Sequence, residues 1–262
     1  MPKSTYYAMR SRAGAEPEPD PLVADVVAAH RDSRGRYGAR KIKWALAGKG
    51  KVASRRCMTR IVKENSLASV CTRANYRAHA DAPNDANLPN VLDRSFNGYV
   101  PHTHLASDLT YVCVLSARCY GCLLVDLANR EIVGHAAGAH KDARLVKSAF
   151  ATVAFPLFDI DVFHSDRGSE FDNMALDEMF DVFGITRSLS KKGCPCDNTV
   201  VDSANKILKA ELVYRESFGS LEGLQVKLSN YVWWYNHERI HSKLGYMSPV
   251  EFREKSLTIL SK

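Results

Sequence analysis

Two aspartates occupy positions from which a sheet would bring their carboxylates together. Asp108 lies in the segment ASDLTYV at the mouth of a predicted strand, and Asp166 lies in VFHSDRGSEF directly after a later strand. When three antiparallel strands are followed by parallel ones, the first and fourth strands lie side by side, so these two acids would meet at one edge. Mg²⁺ prefers hard oxygen ligands and keeps several waters, so a few carboxylates and a substrate phosphate complete its shell. Taken alone, either aspartate is better explained as a turn or cap residue.

The segments around these acids predict an α/β fold with a mixed sheet. Apolar, β-branched runs joined by short turns indicate three consecutive strands, and helical and strand-like patterns alternate after them. The expected strands are Leu109–Leu115, Cys119–Asp126, Glu131–Ala136, Asp161–His164 and Thr186–Leu189, and the expected helices are Asp142–Phe155, Met174–Phe183, Val200–Tyr214 and Leu221–Tyr235.

Basic residues are concentrated in the first third of the chain. The stretch from Arg31 to Arg77 holds fourteen Lys and Arg residues against two acids, whereas the whole chain has a net charge of +7, which leaves −5 elsewhere. A compact positive region on an otherwise acidic chain favours a polyphosphate partner, that is, a nucleic acid. The alternative is an ordinary solvated helical surface.

This basic stretch predicts three short helices. The first would begin with Asp20 as N-cap and Pro21 at its first position, the second would run from near Tyr37 to Gly48, and Ser54 would cap the third. A basic last helix after a glycine-containing turn resembles a helix-turn-helix unit, although a small interaction bundle would share the pattern. The residues expected to contact DNA are Arg36, Arg40, Lys41, Arg55, Arg56 and Arg60.

Composition sets the broad class of the chain. Hydrophobic residues make up 45% of its 262 residues, which is ordinary for a globular protein. No apolar run approaches the roughly 18 residues of a membrane helix, and MPKSTYYAMRSR lacks the apolar core of a secretory signal, so we expect a cytoplasmic protein. Seven scattered cysteines suit reduced thiols.

The expected organisation is a linker at 1–21, a small all-α helix-turn-helix-like domain at 22–79, a linker at 80–95 and an α/β core at 96–262.

Several ordered motifs resemble the OrfB-type transposases of the third insertion-sequence family. They are HSDRGSEF, SLSKKGCPCDNTVVDSANKILKAEL and YNHERIHSKLGYMSP, and RYGARKI with VASRRCMTRIVKENSL resembles the helix-turn-helix segment ahead of that family's core. The resemblance covers nearly the whole chain. It implies an RNase H-like integrase core, with a mixed five-stranded sheet and flanking helices, that cuts and joins DNA ends.

The resemblance also assigns the catalytic and metal-binding acids. The family uses two aspartates and a glutamate, and Asp108 and Asp166 match the first two. Thirty-five residues separate Asp166 from Asp202, the spacing that the family uses for its third acid. Aspartate is one methylene shorter than glutamate, about 1.5 Å of reach. Related families use three aspartates, so a site for Mg²⁺, which Mn²⁺ can replace, is still expected; the alternative is a weakened enzyme.

Two lysines follow the third acid on the same predicted helical face. Lys206 and Lys209 lie four and seven residues after Asp202, and in integrase-like cores basic residues there contact the DNA end. An ordinary solvated helix face is the alternative. Other departures from the family pattern are Leu105 for a tryptophan, Glu170 for a glutamine and Ala204-Asn205 for an aromatic pair.

The resemblance further implies partners. Joining two DNA ends requires at least a dimer, so we expect a homo-oligomer, and relatives are fused to an upstream reading frame, which suggests a fusion or a separate upstream-frame subunit. This chain could therefore be a truncated copy. A rival hypothesis from another class is a non-catalytic DNA-binding inhibitor of transposition, and a weaker one is a nuclease without strand transfer.

Overall fold

The computed structural model describes residues 20–70, 88–191 and 194–260 and divides into two compact units, Met1–Val70 and Cys71–Lys262. Most of the predicted linker 1–21 and the first half of the predicted linker 80–95 lie outside the described residues, so those boundaries stay predictions. Among the described residues, no helix combines the length and the apolar character needed to cross a membrane.

The first unit contains three short helices, α1 (Val23–Asp32), α2 (Ala39–Gly48) and α3 (Arg55–Glu64). The Ser54 side chain accepts a hydrogen bond from the Cys57 N–H and caps α3, as predicted. The core of this unit is made by apolar side chains that recur at helical spacing, namely Val26, Ala29, Ile42, Leu46, Met58 and Ile61.

Two predicted helix starts in this unit are wrong by about two residues. Helix α1 begins at Val23 with Leu22 as its N-cap, because the Asp20 carboxylate accepts from the Leu22 N–H in a turn that precedes the helix. Helix α2 begins at Ala39, after the extended residue Gly38. The local turns therefore use residues that the sequence pattern assigned to the helices.

The second unit is built on a five-stranded sheet in the order β3-β2-β1-β4-β5. Strands β1, β2 and β3 pair antiparallel, whereas β1, β4 and β5 pair parallel. This arrangement confirms the predicted mixed sheet, including the contact between the first and fourth strands. The strands are β1 (His104–Val114), β2 (Ala117–Asp126), β3 (Ile132–Gly138), β4 (Val162–Ser165) and β5 (Thr186–Leu189).

Strand β1 starts five residues before the predicted start at Leu109, so Asp108 lies within the strand rather than at its mouth. The added residues pair on both sides: Leu105 lies opposite Asp126 of β2 and Phe163 of β4. A strand bonded on both edges and buried does not need the alternating pattern by which an exposed strand is recognised.

Helices flank the sheet and are α4 (Ala143–Phe150), α5 (Met174–Phe183), α6 (Thr199–Leu208), α7 (Leu221–His237) and α8 (Pro249–Leu260). Helix α4 ends five residues earlier than predicted. The Thr152 hydroxyl donates to the Ala149 carbonyl, competing with the helical pattern, and Pro156 follows. Helix α5 ends at Phe183, and the residue that caps it, Gly184, has a φ of 70°, which suits glycine.

Helices α4 and α5 cover the main core with phenylalanine side chains. Phe163 of β4 packs against Phe150 and Phe180, with ring centroids 5.1 Å apart in both pairs. Helix α4 approaches β3 closely at Gly134, where an added Cβ would lie 2.6 Å from the Ala149 carbonyl oxygen. These contacts fix the sheet that carries the acids.

A buried ion pair anchors the end of α6. The helix continues into a π-helical turn, Lys209–Val213, from which Glu211 points inward. The Arg239 Nε and Nη2 atoms each lie 2.9 Å from a Glu211 carboxylate oxygen, and the Tyr231 hydroxyl donates to the same carboxylate at 3.0 Å. Both charged side chains are 7% exposed. The pair therefore joins α6 to the segment that follows α7.

Replacing Arg239 with Met should lower the free energy of unfolding by about 3–5 kcal/mol, because Glu211 would remain buried without a countercharge. Urea unfolding followed by circular dichroism measures the change. The double variant Glu211→Leu/Arg239→Met should regain most of it. Lys227→Met removes an exposed ion pair with Glu216 and should change stability by less than about 1 kcal/mol. Equal losses at the two sites would contradict the anchoring role.

Candidate active site

The pairing of β1 with β4 places two acids at the same level of the sheet. Ala106 lies opposite His164 in the parallel register, and Asp108 and Asp166 each stand two residues further along. Both acids are partly exposed. The structure thus brings the two aspartates together as the sequence predicts.

Buried polar contacts hold the turn that carries Asp166. His164 lies between the Ser188 and Ser190 hydroxyls, 2.9 and 3.1 Å from its ring nitrogens. Burial lowers the pKa of His164 to about 4, so the ring is neutral at pH 7. After it, Arg167 donates from Nε to the Ser190 carbonyl, which ties the turn to β5.

A second set of contacts fixes the start of α6. Burial alone would raise the pKa of Asp197, but hydrogen bonds from Arg94 and the Lys191 N–H lower it below its usual range. The Arg94 Nε atom lies 2.7 Å from the Asp197 carboxylate. The adjacent Asn198 donates from Nδ2 to the Ser107 carbonyl at 3.1 Å. The helix therefore begins against the residue that precedes Asp108.

Helix α6 presents Asp202 towards the same region. Asn205, one helical turn after Asp202, donates from Nδ2 to Oδ2 of Asp108 at 3.0 Å. Burial raises the pKa of Asp202, whereas the positive charges of Lys206 and Lys209 oppose that rise. The third predicted acid is thus held near the first by a neighbouring amide.

The acids influence one another through their charges. Burial is the largest cause that raises the pKa of Asp108 to about 7, and the negative charges of Asp166 and Asp202 raise it further. Hydrogen bonds from Asn205 and from the Leu109 N–H oppose the rise. A carboxylate that is destabilised in this way gains from any cation that binds beside it.

The donor chemistry of the three acids fits a hard divalent cation, because carboxylate oxygens are the ligands that Mg²⁺ prefers. Across residues 20–70, 88–191 and 194–260, no three His, Cys, Asp or Glu side chains stand close enough together to hold one ion. The acids therefore form an electrostatic cluster rather than a closed three-ligand site. Two carboxylates, waters and a substrate phosphate still satisfy Mg²⁺.

The predicted DNA-binding residues are mostly accessible. Lys206 on α6 is exposed, and Lys209 at the start of the π-helical turn is partly exposed. In the first unit Arg36 is an exception: it is 6% exposed, so it packs within the unit and is not on the accessible surface. Lys41 lies over the Tyr37 ring, 5.0 Å from its centroid. The exposed basic residues of this unit include Arg40, Arg55, Arg56 and Arg60.

Sequence reasoning missed two features of the site. It treated Asn205 only as a departure from an aromatic residue, although its position three residues after Asp202 places it on the same helical face. It also passed over Lys141, whose Nζ atom lies 2.9 Å from Oε1 of Glu170 beside the acids. No local pattern signals that second contact, because it joins two separate loops.

Family comparisons match both units. Two families, each described as Integrase core domain, match residues 99–195 and 202–257, and a third, described as HTH-like domain, matches residues 18–75. The first two ranges contain the three acids, and the third contains the basic helix α3. The matches agree with the predicted order of the two domains.

Curated relatives decide the family. A protein of Shigella flexneri named "Probable transposase for insertion sequence element IS1353" is 31% identical over 97% of this chain and 50% of its own length. An Escherichia coli K12 protein named as transposase InsK for IS150 is 27% identical over 98% of this chain and 91% of its own length. An uncharacterized 31 kDa protein of insertion element IS600 from Shigella sonnei is 30% identical over 89% of this chain and 87% of its own length. The chain belongs to the IS3 family of insertion-sequence transposases.

The chain spans about half the length of the IS1353 relative. A solved structure supports the fold of the IS3-family chain: an intasome of simian T-cell lymphotropic virus in complex with a PP2A regulatory subunit contains a chain with a TM-score of 0.52 and 14% identity. That likeness covers 87% of this chain and 74% of the other. The RNase H-like integrase core and the helical segment before it are therefore confirmed.

The raised pKa of Asp108 predicts a pH-dependent stability in the absence of metal. Between pH 4 and its pKa of about 7 the folded state holds this proton more tightly than the unfolded state, so stability from this group falls as pH rises through that window. With EDTA present, Asp108→Asn should stabilise the chain at pH 8 by on the order of 2 kcal/mol and have little effect at pH 4.

Thermal unfolding of both proteins across this pH range measures the difference. The matched control is Asp181→Asn, which neutralises an exposed acid of α5. A stabilisation by Asp108→Asn that is equal at pH 4 and pH 8 would show that the pKa of Asp108 is not raised in the folded chain.

Proposed function

We propose that this IS3-family chain catalyses metal-dependent cleavage of a DNA strand at the ends of an insertion sequence, followed by strand transfer. The observation that carries the proposal is the convergence of Asp108 on β1 with Asp166, which directly follows the neighbouring parallel strand β4. Asp202 lies on a helix close enough for its charge to raise the pKa of Asp108. Its membership of an integrase-core family supports polynucleotidyl transfer.

The proposed ligands are the three aspartates, with Asp108 and Asp166 sharing one Mg²⁺ or Mn²⁺ and Asp108 and Asp202 sharing a second. Bound cations at these carboxylates would activate water and stabilise charge on a leaving oxygen. Asn205 keeps the Asp108 carboxylate oriented through its 3.0 Å hydrogen bond. The Gly168 N–H does the same for Asp166 at 3.1 Å.

Water would attack the phosphodiester at the element end, and the bond to the 3′ oxygen would break to leave a 3′-OH. That hydroxyl would then attack a phosphodiester of the target DNA, whose own 3′ oxygen would leave. Lys206 and Lys209 would hold phosphates of the processed strand beside Asp202. No serine or tyrosine nucleophile takes part, so no covalent protein–DNA intermediate forms.

The names of the relatives favour this transposase over the non-catalytic inhibitor. The shorter third acid remains the point at which the two hypotheses diverge. Asp202 lies on a helix whose start is fixed by Asn198 and whose end is fixed by Glu211. The helix therefore cannot move closer to make up for the shorter reach of aspartate compared with glutamate. We propose that the activity persists with reduced efficiency.

The proposed partners follow from this reaction. The first unit would bind double-stranded terminal repeats through α3, and joining two ends would require a homo-oligomer of at least two chains. An upstream-frame subunit or fusion would supply further DNA contacts. The proposed place of action is the DNA of the nucleoid, in the cytoplasm.

Asp108→Asn should lower Mn²⁺- or Mg²⁺-dependent nicking of a labelled duplex that carries the element end by roughly 100-fold or more, because a ligand oxygen becomes a neutral amide. Asp202→Glu should raise nicking, by up to about 100-fold, because it restores the missing reach. Denaturing gels measure the nicked and joined products. Asp181→Asn, an exposed acid on α5, should cut like the unchanged chain.

Two outcomes would contradict the enzymatic proposal. One is DNA binding by every variant without metal-dependent nicking in any of them, which would favour the inhibitor. The other is full nicking by Asp108→Asn, which would place the chemistry elsewhere. Nicking without joined products would indicate a nuclease that lacks strand transfer.

Arg55→Gln/Arg56→Gln should weaken binding of a terminal-repeat duplex and reduce the slope of log K against log salt concentration by about 1 for each lost phosphate contact. Both residues are exposed on α3. Lys49→Gln removes another exposed charge, which pairs with Asp32 and lies outside α3, and should leave the slope unchanged. Fluorescence anisotropy at several salt concentrations measures the slopes. Equal slopes for the unchanged chain, the double variant and Lys49→Gln would show that Arg55 and Arg56 of α3 do not contact DNA phosphates.

A further inference from the structure

We propose that Lys141 is a further DNA-binding residue of the active site, which contacts a phosphate of the strand being cut from the β3–α4 side. Lys206 and Lys209 belong to different elements, α6 and the π-helical turn that continues it. This inference rests on the proposed function and adds a substrate contact to it. It is carried by a chain of contacts that joins the Lys141 ammonium group to the Asp166 carboxylate.

The first contact is the ion pair between Lys141 and Glu170. The Lys141 Nζ atom lies 2.9 Å from Oε1 of Glu170. The Glu170 side chain is only 2% exposed, whereas the Lys141 side chain is 47% exposed. The carboxylate is therefore a fixed anchor inside the protein, and the ammonium group stands at the surface above it.

The second contact joins Glu170 to the turn of Asp166. A Cβ added to Gly168 would lie 2.3–2.6 Å from the three carboxyl atoms of Glu170, so this carboxylate packs directly on the glycine backbone. The Gly168 N–H in turn donates to Oδ1 of Asp166 at 3.1 Å. The anchored lysine and Asp166 are thus positioned by the same short turn.

The charges agree with this arrangement. Burial lowers the pKa of Lys141, but Glu170 outweighs that effect and the charges of Asp166 and Asp108 add to it, so the pKa rises above its usual value. An ammonium group has three N–H donors, and one ion pair with Glu170 does not use them all. A phosphate that approaches the acids is repelled by their negative charge, and a lysine held beside them offsets that repulsion.

A purely structural role for Lys141 predicts a different result from a role in DNA binding. In the structural case the lysine only balances the charge of Glu170. Replacing both residues with uncharged ones would then leave DNA binding unchanged. Two variants separate these cases. Glu170→Gln keeps the ammonium group and removes its anchor charge, whereas Lys141→Gln/Glu170→Gln also removes the ammonium group without leaving a buried charge unpaired.

The test measures binding of the full chain to a short fluorescein-labelled duplex with a recessed 3′ end, in Ca²⁺, over a range of KCl concentrations. The double variant should show a slope of log K against log [KCl] smaller by about 1 than that of Glu170→Gln, and a weaker affinity at every salt concentration. Glu170→Gln should keep the slope of the unchanged chain. Thermal unfolding of both variants checks that they are equally folded.

Lys227→Gln is the matched control, because Lys227 also pairs with a glutamate, Glu216. Lys227 lies away from the acids: it donates to the Ser217 carbonyl, and the adjacent Phe218 carbonyl accepts from Leu115, just after the end of β1. Its slope should equal that of the unchanged chain. Identical slopes for the double variant and Glu170→Gln would overturn the role of Lys141 while leaving the proposed function intact. Failure of the unchanged chain to bind the duplex would overturn the proposed function itself.

Discussion

The parallel pairing of β1 with β4 is the constraint on which the rest of the site depends. Because Ala106 lies opposite His164, Asp108 and Asp166 are forced to the same level of two adjacent strands. Burial is the largest cause that raises the pKa of Asp108 to about 7, and the like charges of Asp166 and Asp202 raise it further, so the ionised acids oppose the fold. The ionised acids thus lower the stability of the fold, and a bound cation would remove that destabilisation. The fold is in this respect adapted to a ligand at the expense of its own stability.

Much of the surrounding structure resists that repulsion. The motif residues other than the three proposed metal ligands act as anchors: His164 lies between two serine hydroxyls, Asp197 accepts hydrogen bonds from Arg94 and Lys191, and Glu211 is paired with Arg239. All of these contacts except that of the Lys191 N–H, which is six residues from Asp197, join segments more than 20 residues apart in sequence. The motifs that resemble a transposase family therefore describe a rigid frame as much as a set of catalytic groups.

The sequence was sufficient for the order of the five strands and for the approach of the two aspartates, because strand periodicity and sheet topology are local or general rules. It was insufficient where tertiary contacts override local pattern. The start of β1 was missed since its first residues are paired on both sides, and Arg36 was assigned to the surface because charge alone does not show burial. The approach of Lys141 to Glu170 depends on two loops that only the folded sheet brings together.

The π-helical turn Lys209–Val213 allows the direction of Glu211 to be set independently of the helix face that bears Asp202. A π turn accommodates an extra residue, which rotates the chain after it by about 100° relative to a regular α-helix. The inward direction of Glu211 can thus be set without rotating the face that bears Asp202 and Asn205. A single-residue deletion within this turn would convert it to ordinary helix and be partly absorbed, whereas the same deletion between Asn198 and Asp202 would swing the third acid away from the sheet. Tolerance to length changes should therefore differ sharply along a helix that looks uniform in sequence.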